Sequence, residues 1–146
     1  MDVPPVAVAI DNLVVAISSH DPARVAACFA DDYRNETPVH PSRSFEGRGQ
    51  VERNWTVILG AVPDLKAEVL SLVADGQRAW CEWEWTGTRR DGTPHLMRGV
   101  TITDVRDGVI TAARFYMEPV ENDGVRIDDA VRATLRLENV GEAAAR

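Results

Sequence analysis

A length of 146 residues suits one domain, large enough to bury a core and still enclose a pocket. With 45% hydrophobic and 27% charged residues, the chain has the balance of a globular protein and not of a disordered or fibrous one. A net charge of −7, with the basic residues scattered singly or in pairs, repels phosphate backbones and anionic lipid, so neither nucleic acid nor a membrane surface is an expected partner.

The N-terminal stretch MDVPPVAVAIDNLVVAISSHD carries Asp2 and Asp11, lacks a basic start and never holds an unbroken apolar run, so no signal or membrane helix is expected and a cytoplasmic protein is the simplest reading. Pro4-Pro5 can open a helix, and Ile10, Leu13, Val14 and Ile17 then recur at the i, i+3, i+4, i+7 spacing that lays an apolar stripe on one side. In HDPARVAACFADDY, Asp21 caps a short second helix with Pro22 in its first position, and Val25, Cys28 and Phe29 are expected to share its buried face. YRNETP alternates like a strand and stops at Pro38. The loop VHPSRSFEGRG separates it from a third helix with Val51, Trp55, Ile58 and Leu59 on one stripe.

From Pro63 the texture changes. Alternating segments follow one another, joined by Asp75-Gly76, Asp91-Gly92 and Asp107-Gly108, each a favoured hairpin turn, which predicts antiparallel strands at about 65–74, 78–88, 95–106 and 109–118. Three helices and a short strand followed by a twisted meander make an α+β layer pair. The tail IDDAVRATLRLENVG predicts a fourth helix: Ile127, Val131 and Leu135 share a face, Asp128 and Asp129 lie early, Arg132 and Arg136 late, and Gly141 stops it. One domain over residues 1–146 is expected, with 119–146 a C-terminal extension carrying that helix and the EAAAR end fraying.

The segment WCEWEWTGT decides what faces inward. Side chains alternate across a strand, so Ala79, Cys81, Trp83 and Trp85 share one face, and Trp80, Glu82 and Glu84 the other. Burying the two glutamates side by side would set like charges in low dielectric, so the tryptophans Trp83 and Trp85 are expected to wall the interior. Glu82 or Glu84 then pairs with Arg98 across the strands. The exposed Trp80 marks a surface that a second copy covers, so a homodimer through the outer sheet face is expected. Cys28 and Cys81 lack metal-ligand spacing and read as structural thiols among apolar neighbours. Asp31-Asp32 and Asp128-Asp129 read as helix-end charges, and no metal or other cofactor is expected.

The order of elements, the segment FADDYRNETPVHPSRSFEGRGQV, the later PDLKAEV, the WTGTRRDG turn and the VRDGVITAARFY end resemble the SnoaL-like branch of the NTF2-like superfamily over roughly residues 6–118. The resemblance implies a cone in which a curved antiparallel sheet wraps over three N-terminal helices and encloses an apolar pocket. The superfamily hosts polyketide cyclases, ketosteroid isomerases, limonene epoxide hydrolase, dehydratases and noncatalytic binding domains, so it implies a fold more sharply than a chemistry. The epoxide hydrolase motif is matched at Tyr33 and Asn35, but its strand arginine and aspartate fall at Trp83 and Trp85 and its second aspartate at Phe115. The cyclase aspartate also falls at Phe115. The base of the isomerases precedes a proline where this chain has Thr37, and their oxyanion-hole aspartate falls at Thr101.

By the same parity, Tyr33, Asn35 and Thr37 face the cavity from the first strand. Met97, Gly99, Thr101 and Thr103 do so from the third long strand, and Ala113, Phe115 and Met117 from the last. The expected ligand contacts are Trp55, Trp83 and Trp85, with Met97, Thr101, Phe115 and Met117, a lining that suits a small apolar or aromatic metabolite. Tyr33 and Asn35 read equally as a buried pair tying the strand to a helix and as ligand-orienting groups. The catalytic candidates are Tyr33 as proton donor, Asn35 as orienter and His40 in the proline-rich loop as base, with His95 a second histidine near the mouth. His20 reads as a surface residue. Glu118 becomes a pocket base only if Met117 faces out. Two readings stand: a cofactor-free cyclase, isomerase or lyase, and a noncatalytic binding, accessory or dimerisation protein.

Overall fold

The computed structural model describes residues 2–138. Its elements run α1 (Pro5–Ser18), α2 (Pro22–Ala26), β1 (Phe29–Glu36), a 3-10 turn (Pro41–Arg43), β2 (Phe45–Glu46), α3 (Arg48–Ala61), β3 (Lys66–Asp75), β4 (Arg78–Thr88), β5 (Pro94–Arg106), β6 (Val109–Pro119) and α4 (Ile127–Thr134). The chain is α+β, with a six-stranded curved sheet in the order β2-β1-β6-β5-β4-β3. Every pairing is antiparallel except β1 against β6, where the first strand slots in parallel beside the last.

The helix stripes do what their spacing demands. Val6, Ile10, Leu13 and Ile17 of α1 are buried against the sheet, while Val8 and Val15 on the opposite side are exposed. Asp21 caps α2 by accepting from Ala23 N at 3.0 Å. On the sheet, β4 keeps strict alternation: Trp83 and Trp85 are 2% and 7% exposed, and Trp80 is 42% exposed on the other side. The inward register survives into β3 through a bulge between Val69 and Ser71, so Ala67 and Val69 before it and Leu72 and Ala74 after it oppose inward residues of β4. Such a bulge adds a bend, which curls the sheet over the helices. Gly99 sits where β5 passes closest to β6, with φ of 152°, and a Cβ there would collide with the backbone of Tyr116 and Met117.

The outer face carries the charges. Arg98 Nε donates to Glu84 at 2.8 Å, the expected cross-strand pair, and Arg78 grips Asp104 with two bonds of 2.6 and 3.0 Å. Glu82 lies on the same exposed face.

Four expectations need correction. Phe29 does not lie on the second helix: α2 ends at Ala26, and Ile110 N donates to Cys28 O at 2.9 Å, which draws the chain into pairing with β6 three residues later. Cys28 is only half-buried, its thiol turned toward Arg24 O, whereas Cys81 is fully buried. The two-residue strand β2 had no sequence signal. The fourth helix forms but ends at Thr134, because Arg136 adopts a left-handed φ of 58° and Leu137 N folds back to Arg132 O. The expected Gly141 stop and the EAAAR end lie outside the described residues. α4 buries none of its side chains. No helix among the described residues is long and apolar enough to cross a membrane.

Candidate functional site

Between the inner sheet face and helices α1 and α3 lies a cavity of about 290 Å³, close to the lower end of the roughly 300–1,000 Å³ typical of small-molecule sites. Its helical wall is Ile10 and Leu13 of α1 with Val51, Trp55 and Ile58 of α3. α3 is pinned at its start to β1, since Gly47 N donates to Tyr33 O at 2.7 Å and Arg48 Nε to Phe29 O at 2.9 Å. That backbone tie, and not the Tyr33–Asn35 pair, joins strand to helix.

The sheet wall is aromatic. Trp85 lies 5.3 Å from Trp55, 6.4 Å from Trp83 and 6.3 Å from Phe115, centroid to centroid, all tilted or edge-on as ring quadrupoles prefer. Tyr33 packs edge-on to Phe29 at 4.7 Å and tilts against Phe45 at 5.9 Å. Met97 and Met117 complete the apolar wall.

Polar groups enter this wall as short hydrogen-bonded tracks. Along β1, Tyr33 Oη donates to Asn35 Oδ1 at 3.0 Å, and Asn35 Nδ2 donates to Thr37 Oγ1 at 3.1 Å. All three are buried and border the cavity, so the buried pair and the cavity-facing group are one arrangement. Burial pushes the Tyr33 phenol well above its ordinary pKa, so it stays protonated and can only donate to Asn35. On β4 and β5, Trp83 Nε1 donates to Thr101 Oγ1 at 2.9 Å, and Thr103 Oγ1 to the same oxygen at 3.3 Å. Trp85 Nε1 is buried and finds no acceptor.

Of the predicted catalytic set, Tyr33 and Asn35 are brought together in the cavity, whereas His40 is not among the residues lining it. Its Nε2 instead meets Glu118 Oε1 at 2.7 Å, with both side chains partly exposed. The sequence reading had found no carboxylate partner for this histidine. Met117 faces in, so Glu118 points away from the cavity and holds the loop. His95 also stands outside the lining. Its Nε2 is buried without a partner, and desolvation, with Arg89 nearby, lowers its pKa toward the neutral imidazole. His20 is exposed, its Nε2 3.1 Å from Leu65 O. All seven expected ligand contacts border the cavity.

Three lining residues were missed: Arg43, Phe45 and Asn54. Asn54 was legible, because Val51, Asn54, Trp55 and Ile58 follow the i, i+3, i+4, i+7 pattern of one helix face. Arg43 and Phe45 carried no such signal. They are set by the 3-10 turn and by Ser44 Oγ, which accepts from Thr37 N at 3.0 Å.

The family model of the SnoaL-like domain matches residues 10–113. Among solved structures, the chain is similar to IdmH of Streptomyces antibioticus, proposed to be a polyketide cyclase, with 21% identity over 77% of this chain and 91% of that one and a TM-score of 0.67. A LEH-like epoxide hydrolase of M. tuberculosis is 19% identical over 78% and 83%, with a TM-score of 0.66. A protein of Catenulispora acidiphila with a ketosteroid isomerase-like fold, in complex with trimethylamine, is 16% identical over 74% and 84%, with a TM-score of 0.64. At these identities the likeness is one of fold. None of the curated proteins matches the chain by sequence.

Proposed function

The chain belongs to the SnoaL-like family, with the NTF2-like fold, and from that premise we propose that its cavity binds a small, flat, apolar or aromatic metabolite. The observation that carries this reading is the wall itself: three indoles, Phe115 and two thioethers surround an enclosed space into which only a few fixed polar groups reach. Walls of this kind gain affinity from apolar contact and take orientation from the polar minority. Tyr33, Asn35 and Thr37 are that minority on β1. The names of two fold neighbours, a proposed polyketide cyclase and an epoxide hydrolase, support a use of the same hollow for organic molecules.

The test uses the wall as its own reporter. Trp55, Trp83 and Trp85 border the cavity, so a small aromatic ligand entering it changes tryptophan fluorescence saturably. Ala113→Phe fills the hollow from β6 and abolishes that change while the circular dichroism of the fold is retained. Equal binding by the filled variant would end the proposal.

A second reading, a cofactor-free cyclase, isomerase or lyase, is favoured by one arrangement: Tyr33 is held as a protonated donor in the cavity, and His40 is oriented by Glu118 on the adjoining loop. In this reading Tyr33 polarises a ligand carbonyl, and His40 takes the neighbouring carbon-bound proton once the loop turns inward. Proton exchange of a bound ketone with heavy water, followed by NMR, separates the readings. An enzyme catalyses exchange that Tyr33→Phe removes, whereas a binding protein catalyses none.

A second copy of the chain is the proposed partner. Trp80 and Val73 stand exposed on the outer sheet face, at 42% and 63%, and oppose each other across β4 and β3. An apolar patch framed by ion pairs suits an isologous sheet-to-sheet contact.

A further inference from the structure

The hydrogen bonds in the cavity wall have a direction, and it restricts the ligand further. Tyr33, Asn35 and Thr37 together hold four polar side-chain protons and use two of them along their track. The second Asn35 N–H and the Thr37 hydroxyl proton are left over. Trp83, Thr101 and Thr103 hold three such protons and use two, so one hydroxyl proton remains whichever way the two threonines point.

On α3 the amide orientations are fixed by an arginine. Arg53 can only donate, so the Gln50 oxygen accepts from it at 2.7 Å, and Gln50 Nε2 donates to Asn54 Oδ1 at 2.8 Å. The Asn54 amide nitrogen, in the lining, keeps both of its protons. Arg43 is the only charged side chain of the lining, and its guanidinium has no hydrogen-bond or ion-pair partner among the described residues. Its backbone is nevertheless held: Arg43 N donates to His40 O at 2.9 Å, and the His40–Glu118 contact fastens the same loop to β6.

The acceptor side is nearly empty. No aspartate, glutamate or histidine lines the cavity. The two amide oxygens, of Asn35 and Asn54, are already engaged. Trp85 adds one more buried N–H without an acceptor. A buried donor left unmatched is costly, and a wall made of donors is satisfied only by a molecule made of acceptors.

We infer that the ligand is a flat apolar carboxylic acid whose buried part carries carbonyl oxygens in place of hydroxyl or amino groups, with its carboxylate at Arg43. This rests on the binding reading above and names its chemical class. Hydroxyls and amines would bring further donors into a donor-rich wall, and a cationic amine would also face the guanidinium.

The experiment uses four probes of one shape on the whole chain at neutral pH: 2-naphthoate, methyl 2-naphthoate, 2-naphthylmethanol and 2-naphthylmethylamine, titrated by tryptophan fluorescence and calorimetry. The acid is expected to bind about tenfold or more tighter than the alcohol, the effect of a charge-assisted contact, and the amine not at all. Its advantage over the ester shrinks with added salt, as a contact at the mouth requires. Arg43→Gln brings acid and ester to similar affinity. An alcohol or amine that binds as well as the acid, or an acid preference that survives Arg43→Gln, overturns the inference while the binding reading stands. Failure of all four probes to bind overturns both.

Discussion

Thr101→Val isolates a single buried contact. Thr101 accepts from the indole N–H of Trp83, whose side chain is 2% exposed, so the variant leaves that N–H with neither a protein acceptor nor water. Valine has nearly the same shape as threonine, so no cavity term enters, and the loss is the desolvation penalty of one stranded donor, about 1–3 kcal/mol. At roughly 2–4 °C per kcal/mol for a chain of this size, the melting temperature falls by about 2–12 °C. Thr103→Val is the internal control. It removes only the 3.3 Å bond between the two threonines, and Trp83 keeps its acceptor, so the cost stays within about 0.5 kcal/mol. Urea unfolding followed by tryptophan fluorescence, with unchanged denaturant slopes, measures both. Equal costs for the two variants, or none for Thr101→Val, would show that the indole bond does not hold the aromatic wall and would remove the reason for threonine at this position.

Gly99→Ala places a methyl group 2.6 Å from Met117 Cα and against Tyr116 O, both backbone, at a positive φ. β5 and β6 must then part, at a cost of about 2 kcal/mol or more in denaturant unfolding; a neutral result would mean the strands are not so closely apposed. Burial pushes the Cys81 thiol up to about 12 from 9.0. The folded chain therefore holds that proton more tightly than the unfolded chain, so the stabilising difference is intact below pH about 9 and is lost progressively as the pH rises toward 12. Cys81→Ala should flatten that alkaline decline in unfolding experiments across the window, and an unchanged slope would count against it. Trp80→Asp should convert a dimer to a monomer in light scattering without altering the fold; persistence of the dimer would move the interface elsewhere.

The sheet was legible because its rules are local. Alternation alone sorted Trp83 and Trp85 from Glu84, and the Asp107-Gly108 turn carries the positive φ values of 52° and 80° that a two-residue hairpin demands. Helix stripes were equally local, and Asn54 shows that a polar residue on such a stripe is a cavity residue in plain view. What escaped depends on contacts distant in sequence. β1 begins at Phe29 because β6 offers it a parallel edge, and no pattern near Phe29 encodes that pairing. Arg43 reaches the cavity because the loop is fastened by His40 to Glu118, 78 positions along the chain. Proline and glycine in VHPSRSFEGRG announced a loop but not which of its side chains turns inward.

The resemblance puts acids at the positions held here by Thr37, Trp85, Thr101 and Phe115, and all four border the cavity. The consequence is electrostatic as well as chemical. A pocket with carboxylates can take up protons and hold cations; one with hydroxyls, amides and a guanidinium presents positive potential to whatever enters. Such a wall suits negative charge on oxygen, the carbonyl or enolate of a bound molecule, in the manner of an oxyanion hole. It offers nothing to remove a proton from carbon, since Tyr33 is held protonated and no other lining group near neutrality is a base. Any base must come from outside the hollow, and His40 with Glu118 is the pair nearest in sequence to the loop residues that enter it. Recognition and proton removal are therefore separated in space, so substitutions in the wall should change affinity, and substitutions of His40 should change turnover alone if the protein turns over anything.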